Sequence, residues 1–239
     1  MNELKLSKRL EAVAEAVPKG YTLADIGSDH AYLPIYCYLK EIVPSAIAGE
    51  VVEGPFQTAK NQVERLDLHK AIDVRKGDGL EVISKGEVDA ITICGMGGAL
   101  IATILDHGKD KLEGVKRLIL QPNISAVSVR KWLLENNWEL IQEMILEEDD
   151  KIYEILIAER GEPSKPYQLA ELNKELLLGP FLLKEHSAVF KKKWTLEKKN
   201  WDRILLQLDS ASPSQEVEDK KRELEQYIQY VQKELDLYE

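Results

Sequence analysis

The chain has 239 residues with a formal net charge of −10 and a pI near 5.1. Apolar types make up 44% and aromatics 7%, a globular composition that excludes a disordered chain and fits one large domain, or one with an appendage. The negative field opposes polyanions, so any nucleic-acid contact has to come from a local basic patch.

Leu4, Leu6, Leu10, Val13, Ala14 and Val17 recur at helical spacing, so an amphipathic helix is expected first, ended by Pro18, Lys19 and Gly20. The stretch MNELKLSKRLEAVAEAV lacks the unbroken apolar core of a signal peptide, and no apolar run is long enough to span a bilayer. Cys37 and Cys94 stand far apart, in no CxxC pair and with no metal-ligand spacing to His69, His107 or His186. A soluble, cytoplasmic, metal-free protein is the expectation. Strands are predicted at 21–26, 45–49, 71–75, 87–93 and 116–120, with helices at 33–41, 55–66, 97–106 and 127–136. That alternation argues for a parallel α/β sheet of βαβ units. Two further strands, 139–146 and 152–158, are separated only by the acidic stretch 147–150, too short for a crossover, so they form an antiparallel hairpin. Residues 161–166 read as a linker. Beyond it the chain is helical and charged: Trp194, Trp201 and Leu208 repeat every seven residues, with Phe190 and Ile204 at offset positions. After a Ser/Pro break at 210–214, Val217, Leu224 and Val231 repeat likewise, with Ile228 and Leu235 interleaved. Two heptad helices joined by a short turn give an antiparallel helical hairpin, either closed on itself or pairing two chains. The expected domains are 1–160 and 161–239.

Chemistry-bearing residues cluster where the parallel strands should end, which is where ligands bind in such sheets. ADIGSDHAYLP (24–34) begins like a dinucleotide loop, yet glycines wanted at 27, 29 and 32 are Gly27, Asp29 and Tyr32. Pyrophosphate seeks bare N–H donors without a nearby anion, so Asp29 opposes NAD or FAD. It welcomes S-adenosylmethionine, which carries a sulfonium and an ammonium group. A plainer reading is that Asp25 and Asp29 cap the following helix. Glu50, about twenty residues further on, is placed to accept from ribose hydroxyls. In KGDGLEVI, Asp78 is a candidate acceptor for an adenine amino group, and Gly79 permits close approach, or the pair is a tight turn. Cys94 reads as a packed thiol. Gly95, Gly97 and Gly98 around Met96 leave room for a flat group. Gln121 and Asn123 offer amides that read a base edge or pin a loop. Lys184, Lys191 and Lys198, with Lys192 and Lys199 one step round, form a stripe on the first C-terminal helix. The stripe is a phosphate seat or a solvated face, extended in the former case by Lys8, Arg9, Arg130 and Lys131.

DIGSDHAYLP, the strand-end Glu50, GDGL, CGMGG and LILQPN, in this order, resemble the bacterial tRNA (adenine-22, N1)-methyltransferase family over the whole chain. The resemblance implies a class I Rossmann-like methyltransferase domain, S-adenosylmethionine as donor and tRNA as acceptor. The expected cofactor residues are Asp25, Gly27, Ser28, Asp29, His30, Glu50, Val51, Asp78, Gly79, Cys94 and Gly95. Met96, Gly97, Gly98, Gln121, Asn123 and the five lysines are expected to meet the substrate, with Asp29 as the catalytic candidate. Like the family, the chain lacks the Asn-Pro-Pro-aromatic motif of many amino-group methyltransferases. On the residues alone, methylation of another acceptor and a non-catalytic cofactor-binding module stay open.

Overall fold

The expected strands form, as β1 (Leu23–Ile26), β2 (Ala46–Glu50), β3 (Ile72–Lys76), β4 (Ala90–Gly97), β5 (Arg117–Ile124), β6 (Trp138–Glu148) and β7 (Lys151–Arg160). The computed structural model describes residues 5–210, 212 and 214–238, in two units, Met1–Pro166 and Tyr167–Glu239.

In the first unit all seven strands make one sheet in the order β3-β2-β1-β4-β5-β7-β6. The first five run parallel, and β7 enters antiparallel between β5 and β6. The hairpin turn is tighter than the acidic stretch suggests. Asp149 and Asp150 alone form it, at φ 49° and 59°, the left-handed pair of a two-residue turn that matches strand twist. β4 and β5 run on to Gly97 and Ile124, past their predicted ends. The glycine-rich segment stays in the ladder across register shifts at Cys94/Met96 and Met96/Gly97. At the opposite edge Thr22 and Asp89 clip β1 to β4. Thr22 N and Oγ1 donate to Asp89 Oδ2 at 3.0 and 2.9 Å, and Asp89 N donates to Thr22 Oγ1 at 3.0 Å.

Helices α1 (Lys8–Glu15), α2 (Tyr32–Leu39), α3 (Glu53–Arg65), α4 (Gly98–His107) and α5 (Ala126–Glu135) cover the sheet. α1 starts later than the apolar spacing suggests, because Ser7 caps it by accepting from Leu10 N. Leu4, part of that spacing, lies outside the described residues. Leu10, Val13 and Val17 pack with Leu33 and Cys37 of α2 and with Ile119, Ile155 and Ile157 of the sheet. Ala59 and Val63 of α3 pack with Ala48, Ile72 and Ile35. α4 can start against the β5–α5 turn only because residue 98 is glycine: a Cβ there would lie 2.1 Å from Ser125 O. Arg130 corrects the sequence reading. It is no part of a basic face but fully buried, its guanidinium 2.6 Å from both Glu143 of β6 and Glu154 of β7.

The second unit holds α6 (Leu172–Leu178), α7 (Pro180–Glu185), α8 (Ala188–Asp209) and α9 (Gln215–Leu235). The heptads pair within the chain. Rings of Phe190, Trp194 and Trp201 follow one another at 6.1 and 6.0 Å, and Trp201 meets Tyr227 at 5.5 Å. Lys221 Nζ lies 3.0 Å from Asp209 Oδ1. Later residues of α8 thus meet earlier residues of α9, so the pair is antiparallel. Of the Ser/Pro break, residues 211 and 213 lie outside the described residues. The lysine stripe is not one helix face, however. Lys184 sits on α7, which ends at His186 (φ 50°) before Ser187 caps α8.

Candidate active site

At the end of β1, Gly27 turns the chain at φ 71°, a conformation that favours glycine. Gly27 N and Ser28 N both donate to Gly49 O, at 2.9 and 3.2 Å, tying the loop to β2. Asp25 is buried beneath it. Its Oδ2 accepts from Ser28 Oγ at 2.6 Å and its Oδ1 from Thr92 Oγ1 at 2.7 Å. Burial pushes the Asp25 carboxyl above the usual carboxylate range, against the pull of these two hydroxyls.

Asp29, His30 and Ala31 follow at φ 41°, 72° and 57°. The backbone therefore takes the glycine-type path that the loop pattern wants, with an acid at position 29. Each such residue costs about 1–3 kcal/mol, which the surrounding fold must offset. Asp29 is exposed, with Oδ1 3.3 Å from His30 Nε2. The helix-capping reading fails: the N-cap of α2 is Ala31, and no side chain bonds there.

Glu50 ends β2, buried, with Oε1 accepting from Asp29 N. Burial raises this carboxyl as well. Gly77 N donates to Glu50 O at 3.0 Å, which brings the next turn alongside. There Asp78 is exposed and Gly79 stands at φ 52° against Ile104. Asp78, Gly79, Leu100 and Ile104 help line a cleft of 230 Å³. Val51 and Val52, directly after Glu50, expose 57% and 58% of their surface.

The ends of β4 and β5 are laced together. Gly95, at φ 77°, donates its N–H to Gln121 Oε1 at 3.0 Å and accepts at its O from Asn123 Nδ2 at 2.7 Å. Gln121 Nε2 donates to Asn123 Oδ1 at 3.3 Å, and Gln121 Oε1 also accepts from Arg9 Nη1. Gln121 is fully buried, so it braces the loop from behind rather than facing a base. Met96 Cε fills the space over the first loop, 2.3 Å from where a Cβ on Gly27 would stand. Cys94 is half-buried, and burial keeps its thiol protonated, far above the ordinary range.

One sheet edge thus gathers Asp25, Gly27, Ser28, Asp29, His30, Glu50, Val51, Asp78, Gly79 and residues 94–98, with Gln121 buried behind them and Asn123 exposed beside Gly95. Lys184, Lys191, Lys192, Lys198 and Lys199 lie in the second unit. Lys198 Nζ is 3.1 Å from Asp202 Oδ2, and Lys184 Nζ 5.5 Å from the Phe181 ring centre. Sequence reasoning missed Thr92, although one polar residue in the apolar run of β4 was a signal for a buried partner. It also missed what Arg9 does; nothing local marks that residue's reach to Gln121.

The sheet order and an acid-bearing glycine loop at the end of β1 define a class I Rossmann-like methyltransferase fold. The family model described as tRNA (adenine(22)-N(1))-methyltransferase, TrmK, matches residues 23–234. The chain is 54% identical to the tRNA (adenine(22)-N(1))-methyltransferase of Bacillus subtilis over 236 residues, 99% of each chain. It superimposes on the crystal structure of the B. subtilis m1A22 tRNA methyltransferase TrmK with a TM-score of 0.92, at 53% identity, covering 97% of this chain and 99% of that one. A Streptococcus pneumoniae protein solved in complex with S-adenosyl-L-methionine gives 0.85 at 42% identity, over 97% of this chain and 100% of that one. The chain belongs to the tRNA (adenine(22)-N(1))-methyltransferase family.

Proposed function

We infer that this protein transfers a methyl group from S-adenosylmethionine to N1 of adenine 22 in tRNA. Family membership across 23–234 carries the assignment of donor and acceptor. The local support is the acid at a glycine-type position, Asp29 at φ 41°.

The residues present fit the cofactor. Among the described residues, Asp25 and Glu50 are buried acids hydrogen-bonded by neutral donors only, an arrangement that suits a ligand bringing its own positive charge. Glu50 keeps Oε2 for ribose hydroxyls, Asp78 is open to an adenine amino group, and Val51 and Val52 offer apolar cover for a purine. Gly27, Ser28, Asp29, His30, Gly79, Cys94 and Gly95 complete the cofactor set. When bound, S-adenosylmethionine supplies a methyl group on a sulfonium centre.

Adenine N1 has its own lone pair, so no base has to remove a proton before attack. The product ring is cationic, and the Asp29 carboxylate stabilises that charge as it develops. Positioning supplies much of the rest. N1 lies on the Watson–Crick edge, so the base must be unpaired or turned out of its stack. Residues 96–98 and Asn123 border the space for it, while Gln121 holds the loop. Lys184, Lys191, Lys192, Lys198 and Lys199, in the helical domain beyond residue 160, seat tRNA phosphates. Among the described residues no helix is long and apolar enough to cross a membrane, and a tRNA substrate fits a cytoplasmic place of work.

The test is methyl transfer from labelled cofactor to tRNA transcripts bearing adenine or guanine at position 22. Label on the first alone, recovered as 1-methyladenosine, is expected. Label on neither would sink the tRNA assignment. Charge reversal at Lys191, Lys192, Lys198 and Lys199 is expected to abolish transfer to tRNA and leave cofactor binding intact.

A further inference from the structure

We propose that Arg9 is a positioning residue for methyl transfer, acting through Gln121 on the loop at 95–98. This inference rests on the functional reading above.

Gln121 Oε1 receives two donors, the Arg9 guanidinium and the Gly95 N–H, while its amide nitrogen donates to Asn123. The amide therefore has one orientation, and the carbonyl's two lone pairs are both used. Asn123 in turn holds Gly95 O. Gly95 stands at φ 77°, a conformation that needs outside support, and both of its polar backbone groups are held by β5 side chains. Met96, the next residue, abuts Gly27. A shift of Gln121 is thus felt at both glycine loops, where donor and acceptor must be aligned.

Arg9 is itself held at both ends. Its backbone N–H is 3.3 Å from Glu148 Oε2, and the same carboxylate accepts from Lys8 N at 2.6 Å, so the β6–β7 hairpin seats the start of α1. Its guanidinium lies 5.2 Å from the centre of the Tyr153 ring. Tyr153 reaches this edge because β7 is antiparallel: the β5–β7 ladder ends at Leu120↔Leu156, three residues before Asn123 and three after Tyr153. A guanidinium close to a reaction with a cationic product does not help by charge. Its contribution is geometric, and displacement of a reacting group by about 1 Å costs on the order of 100-fold in rate.

The test compares wild type with Arg9→Ala, Arg9→Lys, Gln121→Ala and the Arg9→Ala/Gln121→Ala double variant. The readouts are kcat and KM on tRNA, S-adenosylmethionine affinity by calorimetry, and thermal unfolding. Arg9→Ala is expected to lower kcat on the order of 100-fold, with KM and cofactor affinity near wild type. The double variant should be no slower than the slower single one, the non-additivity of residues in one network. Arg9→Lys keeps the charge and loses the planar fork, so it should stay slow; it decides the matter if Arg9→Ala does not fold. An unchanged kcat, a loss confined to KM, or multiplying effects in the double variant would overturn the proposal. Wild-type protein inactive on tRNA would instead overturn the functional reading itself.

Discussion

Glu143 and Glu154 lie in the β6–β7 hairpin, Asp25 and Glu50 at the edge where the parallel strands end, and all four are buried. The first pair shares the Arg130 guanidinium at 2.6 Å. Among the described residues the second pair takes only two hydroxyls and one backbone N–H, and burial raises both carboxyls. Among the described residues no ion pair reaches either of them. A buried acid whose task is structural is neutralised within the fold. Asp25 and Glu50 are held by neutral donors, with Arg9 acting on Asp25 only at a distance, an arrangement that suits the cationic ligand proposed above, and the fold bears the cost.

Breaking the compensated pair should have the largest effect. Arg130→Met leaves two buried carboxylates without their cation and should cost about 3–5 kcal/mol in urea unfolding. Making Glu143 and Glu154 apolar as well should recover most of that loss, and failure to recover it would mean that Arg130 packs more than it pairs. Next, Glu50→Gln is expected to weaken S-adenosylmethionine binding about 10–100-fold, the range of a charged hydrogen bond, with little change in thermal midpoint; calorimetry and melting read the two separately. Asp29→Ala should lower kcat on the order of tenfold, since water screens an exposed carboxylate, at normal cofactor affinity. Full turnover would remove Asp29 from catalysis.

The smallest expected effect concerns Asp25→Asn, and its sign sharpens the comparison. Asp25 has a raised carboxyl, so the folded state holds the proton more tightly than the unfolded state does. Stability is therefore lost as pH rises through the folded value and is regained on acidification. At neutral pH Asp25→Asn should melt above wild type. The gap should close as pH falls and the unfolded chain takes up the proton as well. A variant less stable than wild type at neutral pH would show that the Ser28 and Thr92 bonds outweigh the cost of burying the carboxyl.

What was legible in the sequence follows the range of each interaction. Strand–helix alternation, the antiparallel pair and the heptads are periodic patterns, and each of them formed. The acid at position 29 stood out because glycine spacing is a local rule, and the left-handed backbone at Asp29 obeys that rule with a different side chain. Arg130 was misread because its acids lie 13 and 24 residues downstream on two other strands. Lys184 was joined to the stripe because counting by sevens passes over the left-handed break at His186. Arg9 meets Gln121 across 112 positions, and no window of sequence contains both.

The clip between Thr22 and Asp89 spans 67 positions, and this has a consequence during synthesis. β1, β2 and β3 are made in succession and pair on one side, while the other edge of β1 stays bare until β4 emerges. All four residues of β1 are buried in the finished sheet, and a bare apolar strand edge is what nascent chains must be guarded from exposing. Thr92, a donor to Asp25, arrives on the same late strand. The glycine loop after β1 is thus made before the strand that supplies Thr92, and its floor is finished only when the sheet closes.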